Sequence, residues 1–165
     1  MVKQLIVGDA TYELATTRRI LERLPEEHIS WRPHEKSMTL GELATHLINL
    51  LNWQIAILQY QEFDLSTVPL QRKPLEKQSD ILDEFDSNVG KLKNLLAECD
   101  EKTLSEEWTL RHGDQIIRSE VRAIALRTFG LNHMIHHRAQ LGVYLRLLDI
   151  SVPGIYGPSA DEKAR

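Results

Sequence analysis

The chain has 165 residues and a mass of 19.0 kDa, room for one domain spanning 1–165 whose core needs no metal or disulfide staple. A formal net charge of −4 with scattered Lys and Arg excludes the basic stripe that a phosphate backbone requires, and a single cysteine, Cys99, excludes an internal disulfide and a thiolate-built zinc site. No run of about eighteen apolar residues occurs and charges interrupt the N-terminus early, so the chain is expected to be soluble and cytoplasmic, with neither nucleic acid nor membrane as a partner.

The first periodic segment covers residues 3–24, where Leu14, Thr17, Leu21 and Leu24 follow a three-four spacing up to Pro25. The second opens on Thr39-Leu40-Gly41-Glu42, a capping box, and carries Leu40, Leu43, Leu47, Leu50 and Leu51 on to Trp53, Ile57 and Leu58. A third is expected after Ser79 or Asp80, with Leu82, Phe85, Val89, Leu92 and Leu96 on its apolar face. Residues 108–120, WTLRHGDQIIRSE, read as a loop or a short two-stranded excursion around Gly113-Asp114. The fourth helix is expected from Ser119 to Leu148, about 45 Å long at 1.5 Å per residue. The tail from 149 to 165, rich in Gly and Pro, should be irregular.

These elements predict an all-α fold, a four-helix bundle with a long connection between helices two and three. A connection as long as residues 61–78 can carry the chain across the end of a bundle, which would make helices two and four neighbours.

The fourth helix contains LNHMIHHRAQL at 131–141. Residues four apart on a helix share a face, so His133 and His137 form a pair, and they fall on one stripe with Leu126, Phe129, Leu141 and Tyr144. His46 interrupts the apolar stripe of helix two between Leu43, Leu50, Trp53 and Ile57. A lone inward histidine is ordinarily a neutral core residue bonded to a carbonyl. Three from two helices are better explained together, because a metal converts three desolvated imidazoles into ligands at once. His136 is the alternative i,i+3 partner of His133, or a residue of the surface or of the ligands' surroundings. Arg138 either faces solvent or approaches the site to bind an anionic ligand. Gln140 is placed to hydrogen-bond a metal-bound water, and Trp53 and Tyr144 are candidate pocket walls. His28, His34 and His112 read as solvated, and Cys99 as a small core residue. Asp161 and Glu162 in the tail are the only candidate carboxylates for a general base, and no catalytic residue is assigned.

With these residues in place the chain resembles the DinB-like family of helical-bundle metalloenzymes. NHMIHHRAQLGVYLRLL at 132–148 is similar to that family's helix-four signature, with Ala139 where a glycine is common, and LGELATHL at 40–47 to its helix-two segment. VPGIYGPSADE at 152–162 looks like the ending of one branch. The resemblance implies a divalent metal, zinc or nickel, held by His46, His133 and His137 with positions open to water, and it implies homodimers. It also implies a small-molecule substrate and the transfer of a low-molecular-weight thiol to an electrophile. A hydrolase is the nearest variant. The alternative of another class is a non-catalytic, stress-associated metal-binding bundle.

Overall fold

The computed structural model of the protein describes residues 1–67 and 73–162. Helix α1 runs Val2–Leu21 and α2 runs Leu40–Gln59; strand β1 (Glu62–Asp64) follows, then α3 (Gln78–Glu98) and the short α4 (Glu101–Ser105). Strands β2 (Glu107–His112) and β3 (Gln115–Val121) lead into α5 (Arg122–Ala125), a π-helical segment at Leu126–Asn132, and α6 (His133–Leu147). The last three are one continuous helix, since the backbone stays right-handed helical through both junctions.

Local chemistry sets the boundaries. The Thr39 Oγ1 accepts from the Glu42 amide at 3.2 Å while the Glu42 carboxylate accepts from the Thr39 amide at 2.6 Å, so α2 begins where the capping box predicts. Helix α1 ends three residues before the expected Leu24. Pro25 disfavours helical backbone at the residue before it, and the chain tightens into three-residue turns, the Arg23 and Leu24 amides donating to the Ile20 and Leu21 carbonyls. On α3 the buried face is Ile81, Phe85, Asn88, Leu92 and Leu96, with the expected Leu82 and Val89 at its margin.

Pair contacts give the helix directions. Lys3 donates to the Ala97 and Cys99 carbonyls and Arg18 pairs with Asp86, so α1 and α3 are antiparallel. Asp9 pairs with Arg127 and Glu13 with Arg138, so α1 runs parallel to the last helix. His46 meets His133 and His137 while Trp53 meets Phe129, so α2 is antiparallel to it. Helices α2 and α3 are consequently parallel neighbours in an up-down-down-up bundle.

This arrangement corrects the reading of the long connection. Helices two and four are neighbours, but the 61–78 connection does not bring this about by crossing the bundle end. It links α2 to its own parallel neighbour and so must retrace the length of a 20-residue helix, about 30 Å. The return is visible where the Leu75 amide donates to Thr45 Oγ1 at 2.9 Å, back near the start of α2; residues 68–72 of the connection lie outside the described residues. The crossings between non-neighbours are made by the segment joining α1 to α2 and by the one that joins α3, through α4 and the strands β2 and β3, to the last helix.

The ambiguous stretch at 108–120 is a hairpin. β1, β2 and β3 form a three-stranded sheet in that order, β1 parallel to β2 and β2 antiparallel to β3. Gly113 takes a φ of 55°, which a glycine adopts without strain, and that allows the two-residue turn. Trp108 anchors the sheet in the core, and Arg122 at the head of the last helix donates to the Ile57 and Tyr60 carbonyls, closing the end of α2. Gly130 permits a close approach between α2 and the π-helical segment: a Cβ there would fall 2.6 Å from Gln54 Cγ.

The described part of the tail, residues 149–162, lacks regular structure but is tied down. Asp161 accepts from both Arg146 terminal nitrogens, at 3.0 and 2.5 Å, and from the Val152 amide at 2.8 Å; Glu162 accepts from the Gly154 amide at 2.7 Å. Arg146 and the Val152 amide favour the ionised carboxylate and hold Asp161 down from 3.8 to about 2. A carboxylate depressed in the folded state contributes stability that is fully present above its ordinary value and is lost as pH falls through the folded one. The tail should therefore loosen between pH 3.8 and about 2 while helical circular dichroism persists. Hydrogen exchange at the Val152 amide measures this, and an Asp161→Asn chain whose Val152 exchange kept the same pH dependence would refute it.

Candidate metal centre

The α2–α6 seam carries the three inward histidines. The capping box starts α2 so that Leu40, Leu43, Leu47 and Leu50 face the core and His46 falls on the edge of that face towards α6. On the other side the π-helical segment widens the helix to i→i+5 pairing over Leu126–Asn132, a feature that recurs at functional sites, and α-helical geometry resumes at His133.

The structure brings His46, His133 and His137 together. Their ring centroids are 5.3 Å apart for His46–His133, 4.5 Å for His46–His137 and 4.7 Å for His133–His137. One ring nitrogen from each lies within 4.8 Å of the others. Two nitrogens bound tetrahedrally to one ion at about 2.1 Å sit about 3.4 Å apart, so small side-chain rotations would close the set around a metal. His137 is buried, and His46 and His133 are half-buried, which leaves one side of the cluster reachable from solvent.

Electrostatics suits ligation. Burial, reinforced by His137 and His133, pushes His46 down to about 4. Burial also lowers His133, aided by His137 and His136 and opposed by a hydrogen bond to the Phe129 carbonyl. In His137 burial again acts first, against a hydrogen bond to Gln140 that raises it. At neutral pH all three rings are uncharged, the form in which imidazole binds a metal.

Aromatic rings flank the cluster along the seam. Phe129 lies 5.8 Å from His133, Trp53 is 5.1 Å from Phe129, and Phe63 is 5.1 Å from Trp53. About two turns beyond His137 on α6, Tyr144 meets Trp31 edge-on at 5.7 Å. Trp53 and Tyr144 were legible from their stripes; Phe63 and Trp31 come from irregular or strand segments where no periodicity announces them.

Other expected residues fall elsewhere. His136 is exposed, its ring 4.9 Å from His137 but outside the cluster. Arg138 neither faces solvent nor approaches the histidines: it is 3% exposed and turned to α1, where Nη1 pairs with Glu13 at 2.7 Å and Nη2 donates to the Tyr156 hydroxyl at 3.0 Å. One helix position past His137 means a rotation of about 100°, enough to reach a different neighbour. Glu13, which sequence reasoning passed over, is its buried counter-charge. Gln140 bonds the His137 ring, and Asp161 and Glu162 are engaged within the tail. His28, His34 and His112 are exposed.

The same architecture occurs in solved bacterial proteins. The crystal structure of YjoA, a DinB-like protein of Bacillus subtilis, matches with a TM-score of 0.70 at 21% identity, over 92% of this chain and 96% of that one. A DinB-like protein of Bacillus cereus matches at 0.69 and 23% identity, over 92% and 95%. In sequence the chain is 26% identical to Bacillus subtilis YrdA over 155 residues, 93% of this chain and 87% of that protein. The model of the DinB family matches residues 11–164, and the chain belongs to that family.

Proposed function

We propose that the protein is a divalent-metal-dependent enzyme in which His46, His133 and His137 hold zinc or nickel, and that it transfers a low-molecular-weight thiol to an electrophilic small molecule. The observation that carries this reading is a cluster of three imidazoles, one buried and two half-buried, on the seam between two helices. A metal bound by three neutral ligands keeps its full dipositive charge and stabilises a thiolate or lowers the pKa of bound water. The chain's own residues supply the rest. Burial keeps the imidazoles unprotonated, and the rings of Trp53, Phe63 and Phe129 offer an apolar wall on which the body of a substrate can rest. The hydrolytic variant is less well supported, because Asp161 and Glu162 are held by Arg146 and by tail amides.

The test is to remove the metal with a chelator and assay conjugation of bacillithiol, glutathione or mycothiol to a panel of electrophiles. Turnover that disappears on chelation and returns with zinc or nickel, while helical circular dichroism is kept, is the expected result. Unfolding on chelation would identify a structural metal and favour a non-catalytic bundle.

A further inference from the structure

We propose that Gln140 is a positioning residue that presets His137 for the metal by fixing its tautomer; the inference rests on the metal reading above. The His137 Nδ1 lies 2.7 Å from the Gln140 Oε1. A carbonyl oxygen only accepts, so the proton of that bond is on Nδ1. A neutral imidazole carries a single N–H, and Nε2 is left with a free lone pair. Gln140 stands one turn beyond His137 on the same helix, so the contact forms locally and needs no third element to hold it.

The choice of amide has a chemical consequence. A carboxylate at this place would fix the same tautomer and add a negative charge beside the cluster, reducing the electrophilicity of a bound metal. The amide orients the ring without that charge. The His137 imidazole is thus oriented by a neutral oxygen, in the way that ligating histidines are oriented through their second nitrogen.

Gln140→Leu and Gln140→Glu test this on the full chain. Gln140 is exposed, so neither change should disturb the core. Zinc affinity by competition with a chromophoric chelator should fall about 10–100-fold in Gln140→Leu, the usual cost of losing such a partner, and should recover in Gln140→Glu. Imidazole nitrogen shifts of the zinc-free protein should show His137 protonated on Nδ1 in the natural chain and in Gln140→Glu, and a shift towards the other tautomer in Gln140→Leu. Undiminished zinc affinity in Gln140→Leu, or an unchanged His137 tautomer, overturns the inference. The tautomer readout needs no metal, so a natural chain that bound no zinc would defeat the metal reading while the nitrogen shifts still judged Gln140.

Discussion

Arg138→Met is expected to destabilise the protein by about 3–5 kcal/mol, the usual cost of removing one partner of a buried ion pair. Both groups are out of solvent, with side-chain exposures of 3% and 8% for Arg138 and Glu13. Without the guanidinium, Glu13 keeps the Tyr156 hydroxyl, which donates to it at 2.8 Å, and loses its only opposite charge in the network. The Thr16 and Thr17 hydroxyls and the Glu13 carbonyl lose their donor as well. The loss comes from stranding a charge, so it should be largely reversed by removing the charge. Urea unfolding of Arg138→Met, Glu13→Gln and the double variant, all in the same chelator, separates the terms. A single variant within 1 kcal/mol of the natural chain, or a double variant no more stable than Arg138→Met, would contradict the account.

The second large effect is expected at the histidines. His46→Ala, His133→Ala and His137→Ala should each lower metal affinity by more than the about 10–100-fold typical of an outer-shell partner, because on the proposed reading each removes a ligand itself. His136→Ala should retain the metal, since its ring is exposed and outside the three-histidine group. Elemental analysis after dialysis against a buffered metal reads this directly. Loss of metal in His136→Ala with retention in His137→Ala would put the site on the other face of the helix.

How far the sequence discloses the molecule depends on the range of the interactions involved. The start of α2 was legible because the capping box is written in four consecutive residues, and the helical faces were legible because a 3.6-residue period repeats over many turns. The meeting of His46, His133 and His137 followed from two such faces. Arg138 was misread because its partner, Glu13, lies on the first helix and nothing near either residue signals the other. The direction of α3 relative to α2 was hidden for a related reason: a long connection can cross a bundle end or run along its side, and only contacts such as Leu75 to Thr45 tell the two apart. The π-helical segment carries no Pro or repeated pattern that would mark it, since Leu126–Asn132 reads as ordinary helix.

The antiparallel pairing of α2 with α6 has a consequence for the order in which the site assembles. His133 and His137 are a local pair, available as soon as one turn of helix forms, whereas His46 arrives only when two distant segments dock and loop-closure entropy has been overcome. On the proposed metal reading, an unfolded chain would hold an ion by two imidazoles and the native chain by three. The stabilisation that a metal gives the fold is only the difference between those affinities, so abundant metal need not make the protein proportionately harder to unfold. His46, as the third proposed ligand, would then act as a reporter of completed folding: tight binding would begin when the two halves of the chain have found each other.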